Sequence, residues 1–240
     1  MWILIGSVSF LVFVWVVTLY RASQHQSQDI NKLKPVLVIA HPDDEVMFFL
    51  PLILAIRPNL AVLCLSTGNF DGLGQVRKAE FIAVMKALQI RNYEIADTFP
   101  DGWHDWPGES VARYVGDYLS KHTEIDAIVT FDEFGISGHP NHRSINNSLK
   151  FLTQFKPKKR DYIVFELLTV GWFRKYLLPP LEHLSTFFLD SSVVHVANLS
   201  EPLAVTEYMK LYGSQNVWFR RIYALLSRYA YLNSFRVRII

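Results

Sequence analysis

The sequence predicts one α/β domain built on a Rossmann-like, mainly parallel sheet flanked by helices and preceded by a single apolar N-terminal helix. Three observations carry this. Short apolar runs rich in β-branched residues alternate with helical patterns through the middle of the chain. Val36–Ala40 is apolar throughout, as in a strand covered on both faces, instead of alternating with polar residues. Trp2 to Tyr20 contains no charged side chain. With 240 residues, half of them hydrophobic, the chain holds one substantial core once an anchor is set aside.

At about 1.5 Å per residue, Trp2–Tyr20 matches the hydrocarbon thickness of a bilayer as a helix. No Lys or Arg precedes it, and it exceeds a usual signal core, so it reads as an anchor over 1–21 and not as a cleaved leader. Trp2, Trp15 and Tyr20 suit interfacial depths, and Arg21, Lys32 and Lys34 follow the span, which places the domain in the cytoplasm. Polar residues 22–34 read as a linker, and 35–240 as the domain. Strands are predicted at Val36–Ala40, Leu60–Leu65, Tyr93–Ala96, Ala127–Phe131 and Tyr162–Leu167, with helices over Glu45–Ile56, Val76–Ile90, Val111–Lys121 and His142–Phe155 between them. After Asp190 the alternation fades. The tail Val217–Ile240 interleaves aromatic residues with arginines and reads either as a packed helix with a basic outer face or as a segment resting on an anionic membrane.

A net charge of +2 with 19% charged residues excludes the dense basic surface of a nucleic-acid binder. The single cysteine, Cys64, lies in an apolar run, which excludes an intrachain disulfide and reads as a core thiol.

Chemistry concentrates in two clusters. His41-Pro42-Asp43-Asp44-Glu45 follows the first strand, where open α/β sheets bind ligands. A solvated helix N-terminus accounts for three carboxylates but not for the histidine. Ser137-Gly138-His139-Pro140-Asn141-His142 follows the fourth strand and can meet the first cluster at the same sheet edge. Two histidines and one carboxylate leave a coordination position open for water, the layout of a hydrolytic zinc centre, with iron or manganese also compatible. Glu45 suits a supporting or helix-capping carboxylate. Gly68–Gly74 lacks the Lys-Ser/Thr of a P-loop and reads as a rim loop. Arg77 is open to a substrate role or to a surface pair with Glu80. Asp101–Trp106 reads as a plain turn in preference to an aromatic stacking surface for sugar. His25, His104, His122, His183 and His195 fall outside any ligand cluster.

Val38-Ile39-Ala40-His41-Pro42-Asp43-Asp44-Glu45 and His139-Pro140-Asn141-His142 resemble the two signatures of the LmbE/PIG-L-like deacetylase family. Leu65–Asn69, Asp71–Gly74, Arg77, Glu80 and Thr130–His139 resemble its eukaryotic branch, the N-acetylglucosaminyl-phosphatidylinositol de-N-acetylases of glycosylphosphatidylinositol anchor synthesis. The resemblance spans about Val36 to Thr169. It implies Zn2+ bound by His41, Asp44 and His142, Asp43 as general base, His139 as an electrostatic or acid partner, and substrate contacts at Arg77 and Asn69. It also implies a lipid-linked amino sugar as substrate and a single-pass endoplasmic reticulum membrane protein facing the cytoplasm. A deacetylase of soluble amino sugars, or a non-catalytic sugar-lipid binding subunit, are the alternatives.

Overall fold

The computed structural model describes residues 30–157, 160–176, 193–197 and 203–240, together with Gly6, Phe10 and Phe13. Nearly all of the expected anchor and residues 22–29 of the expected linker lie outside the described residues. Among the described residues no helix is long and apolar enough to cross a membrane. Ile30 is fully buried and Ile30–Lys32 form a 3-10 turn, so the end of the expected linker packs onto the domain.

The strands are β1 (Pro35–Ile39), β2 (Ala61–Cys64), β3 (Asn92–Ile95), β4 (Ala127–Phe131), β5 (Ile163–Leu167), β6 (Val193–Ala197) and β7 (Leu232–Ile239), in the order β3-β2-β1-β4-β5-β7-β6. β1 to β5 are parallel, with Val36 opposite Ala61 and Pro35 opposite Ala127. β1, β2 and β4 are buried at every residue, as continuous apolar runs require, whereas β3 is a mostly exposed edge. The chain moves outward from β1 through β2 to β3 and returns to β4 on the other flank of β1. This reversal opens a crevice at the carboxyl ends of β1 and β4, where both histidine clusters emerge.

Two expectations change. The predicted helix Glu45–Ile56 is two helices, α1 (Asp44–Phe48) and α2 (Leu50–Ile56). Pro51, in the first turn of α2, has no N–H with which to extend the α1 ladder. Asn233 of β7 satisfies the broken ends: Leu52 N donates to its Oδ1 at 3.2 Å and its Nδ2 donates to Phe48 O at 2.7 Å. The C-terminal tail is likewise not one segment. It forms α9 (Trp218–Leu226), a 3-10 turn at Arg228–Ala230 and β7, which pairs antiparallel with β5 and β6. Phe235 turns into the core while Arg236 and Arg238 turn out to Glu133 and Glu166, 3.2 and 2.8 Å away. That two-residue period makes the end of the tail a strand.

The remaining helices are α3 (Gly74–Ala87), α4 (Gly108–Lys121), α5 (Gly135–Gly138), α6 (Pro140–Phe155), α7 (Trp172–Tyr176) and α8 (Ala204–Met209).

Candidate active site

A cavity of about 200 Å³ opens at the crevice, lined among others by His41, Asp43, Asp44, Arg77, His139 and His142. The two sequence clusters therefore meet.

Asp44 opens α1. Its Oδ2 accepts from Ala40 N at 3.1 Å and His41 N at 2.8 Å, and its Oδ1 lies 3.2 Å from His142 Nε2. Burial opposes its ionisation, but His142 and His41 outweigh it and hold the carboxyl well below the usual range. His142 sits in the first turn of α6, stacked on Phe131 with ring centroids 4.1 Å apart. Its Nδ1 is 3.0 Å from Gly135 O, which can only accept, so Nδ1 carries the proton. In the neutral ring Nε2 is then a lone pair aimed at a carboxylate oxygen, and this buried atom has no hydrogen-bond partner. Two facing acceptors repel unless a cation lies between them, so this donor pair fits a metal.

His41 follows the same logic. Its Nε2 is 3.0 Å from Asp101 Oδ1 and 2.9 Å from Asn141 Oδ1, and Asn141 is oriented by donating its Nδ2 to His104 O at 2.8 Å. Both partners accept, so Nε2 carries hydrogen and Nδ1, 3.7 Å from Asp44 Oδ2, is left to ligate. Burial lowers the His41 pKa, but the Asp101 hydrogen bond and the Asp44 charge raise it overall. His139 caps α6 by accepting from Asn141 N at 3.3 Å through Nδ1, which leaves Nε2–H as a donor. Burial and the neighbouring His41 and His142 push its pKa down to about 4, so it is neutral at pH 7. His41, His139 and His142 each bring a ring nitrogen within 4.8 Å of the others and could hold a metal ion, so His139 stands beside the expected ligands.

Gly135 makes the placement of His142 possible. Its φ is +63°, and a Cβ there would lie 2.8 Å from His142 Cβ. Asp132 organises the same turn, accepting from Gly135 N at 3.0 Å and from Thr169 N at 2.6 Å.

Asp43 holds an unusual left-handed φ of 107°, with its N–H bonded to Glu45 Oε2 at 3.2 Å. Its Oδ2 lies 3.4 Å from Arg77 Nη2 and accepts a hydrogen bond from Arg220 of α9. Burial raises its pKa overall, against the opposing pull of Arg220 and Arg77. Glu45 is fully buried and accepts from Tyr212 Oη at 2.5 Å, and burial lifts its pKa to about 8.

Arg77 donates to Pro42 O at 2.7 Å and Gly68 O at 3.0 Å, beside Asp101 and Asp43. The surface pair with Glu80 does not form, because Glu80 accepts from Ser214 N and Oγ at 2.7 and 2.6 Å. Asn69 is exposed, and its Oδ1 accepts from Gly74 N at 2.8 Å, at the start of α3. Cys64 is buried, with its thiol pKa pushed far up.

The reading of Asp101–Trp106 as a plain turn is corrected: Asp101 bonds His41, and Trp103, largely exposed, lies edge-on to His139 at 5.0 Å. No local sequence pattern marks Arg220 or Tyr212, which bond Asp43 and Glu45, as site residues. His104 and His122 stand outside the cluster as expected, His195 lies on β6, and His25 and His183 fall outside the described residues.

A family model described as GlcNAc-PI de-N-acetylase, PIG-L, matches residues 36–151. N-acetylglucosaminyl-phosphatidylinositol de-N-acetylase from Bos taurus is 35% identical over 213 residues, covering 84% of this chain and 82% of the relative. A probable enzyme of the same name from Dictyostelium discoideum is 32% identical over 239 residues, covering 85% and 92%. Among solved structures, N,N'-diacetylchitobiose deacetylase from Pyrococcus horikoshii shares the fold with a TM-score of 0.60 at 15% identity, covering 90% of this chain and 86% of that one.

Proposed function

The chain belongs to the PIG-L family of GlcNAc-PI de-N-acetylases, and from that premise we propose that it hydrolyses the acetamide of N-acetylglucosaminyl-phosphatidylinositol, releasing acetate and glucosaminyl-phosphatidylinositol in glycosylphosphatidylinositol anchor synthesis. The observation that carries the chemistry is the unpartnered, buried Nε2 of His142 facing Asp44 beside His41. His41, Asp44 and His142 would hold a divalent cation, Zn2+ by the donor set of two imidazoles and a carboxylate. When bound, such an ion supplies Lewis acidity, polarising the amide carbonyl and lowering the pKa of water toward 7.

The protein's own groups do the rest. Asp43, with a pKa raised by burial, takes a proton from the attacking water and returns it to the amine nitrogen as the C–N bond breaks. Neutral His139 offers Nε2–H to the oxyanion of the tetrahedral intermediate, an interaction absent from the planar ground state. Arg77 and Arg220 hold Asp43 in place from two sides. Asn69 and the outer edge of Arg77 are proposed to contact the substrate headgroup.

Residues 1–21 are proposed as a single-pass anchor in the endoplasmic reticulum membrane, 22–34 as its linker and 35–240 as the cytoplasmic catalytic domain. Tethering raises the effective concentration of a substrate confined to the same bilayer. The test is acetate release by the purified chain from the lipid-linked sugar and from soluble acetylated sugars. The reading expects the lipid-linked compound to be preferred. Turnover of soluble sugar alone would replace it with the soluble-substrate alternative, and turnover of neither would favour a binding subunit.

A further inference from the structure

Among the described residues of the domain, the aromatic side chains more than half exposed gather at one edge. Phe70 follows β2, Trp103 follows β3, Phe134 follows β4, and Trp172 and Phe173 follow β5, so all emerge beyond the carboxyl ends of parallel strands, the edge at which the cavity opens. They are between 59% and 72% exposed, in a core where other aromatics such as Phe49, Phe81 and Phe131 are fully buried. α9 completes the ring. One side of it reaches inward through Arg220 to Asp43 and through buried Tyr223 and Ala224. The other presents Trp218, Phe219, Ile222 and Leu225, with Trp218 73% exposed. Arg221, also exposed, lies among them, where its long stem can carry a guanidinium to headgroup level.

We infer that this ring, centred on α9 and the Trp172–Phe173 pair, is a membrane-docking surface that seats the cavity mouth on the bilayer. The inference rests on the lipid-linked substrate proposed above. A bilayer is the occupant the surface fits. The aromatics stand as separate prongs on five segments around a polar cavity, a pattern that a fluid interface accommodates without one flat complementary face. Aromatic residues with a nearby arginine match the acyl–headgroup boundary, and the cavity then meets the headgroup while acyl chains stay in lipid. The tether permits it. Residues 21–29 can span at most about 30 Å, and β1, which separates the linker from the mouth, is about 17 Å long. The anchor can therefore remain in the bilayer while the far edge of the sheet turns down to it.

The sole native cysteine is buried, so a nitroxide introduced at a new surface cysteine reports one position. The full chain would be placed in phosphatidylcholine–phosphatidylinositol vesicles as Phe219→Cys, Trp172→Cys and Lys121→Cys, the last at the opposite edge. Labels at 172 and 219 are expected to relax more with oxygen than with a water-soluble nickel chelate, and the label at 121 the reverse. Labels at 172 and 219 as open to nickel as that at 121 would overturn the inference. Shielding from both reagents would also overturn it, pointing to a second copy or to this chain's own apolar segment on the surface. Independently, Trp218→Ser with Phe219→Ser should lower turnover of the lipid-linked sugar in vesicles at least tenfold and leave turnover of the same headgroup without acyl chains unchanged. An equal fall in both would refute docking. If the unmutated chain turned over neither compound, the substrate reading would fail, while the label depths would still decide the surface.

Discussion

Gly135→Ala perturbs the candidate metal centre without touching any ligand atom. At φ +63° an alanine costs about 1–2 kcal/mol of backbone strain. The new Cβ would also sit 2.8 Å from His142 Cβ, so the two must separate by about 0.6 Å or more to reach ordinary carbon contact. Because Gly135 O is the acceptor that fixes the His142 tautomer, the shift loosens that ligand's support. Loss of such support weakens metal binding by roughly 10- to 100-fold. For a domain of this size the strain lowers the unfolding midpoint by about 2–8 °C. Gly138→Ala is the matched control: its φ is +75°, but nothing lies within 4 Å of an added Cβ. Calorimetric zinc titration and thermal unfolding of both variants separate strain from displacement. The expectation is a similar loss of midpoint in both and a loss of zinc affinity only in Gly135→Ala. Wild-type zinc affinity in Gly135→Ala, or an equal loss in Gly138→Ala, would rule out the Gly135 backbone as the support of His142.

Two further outcomes follow from the same geometry. Asp43→Asn keeps a residue that tolerates φ 107° and leaves Arg77 its bonds to Pro42 and Gly68, so zinc binding should persist while turnover falls by about two to four orders of magnitude; unchanged turnover in a steady-state acetate assay would remove Asp43 as base. Glu45 is raised from 4.5 unfolded to about 8 folded, so between those values the folded chain binds more protons and its stability drops as pH rises. In chelator, the unfolding midpoint of the native chain should therefore fall relative to that of Glu45→Gln from pH 5 to pH 8, and parallel profiles would contradict the shift.

What could be read before folding was what is contiguous in the chain. His41–Glu45 and His139–His142 each bind their site residues into a few positions after a buried strand, and strand periodicity alone brings both to one edge. Asp101 and Arg220 reach His41 and Asp43 only because the edge-strand loop and α9 fold across the cavity, and no local spacing encodes that. Gly135 carried a partial signal, a glycine four residues before His139, but the reason for it is the close approach of His142. The break between α1 and α2 was marked by Pro51, yet its stabiliser, Asn233, lies 181 residues beyond Leu52. The strand β7 was masked by its arginines, whose partners Glu133 and Glu166 are not neighbours in sequence.

Metal-dependent deacetylation at His41, Asp44 and His142 underlies every role assigned in the cavity. Its most direct measurement is acetate release from N-acetylglucosaminyl-phosphatidylinositol by the purified chain, before chelation, after chelation and after zinc is restored, with metal content determined in parallel. About one zinc per chain is expected for a single site, with loss of activity when the metal is removed and recovery on its return. Full activity in protein that contains no metal would contradict it.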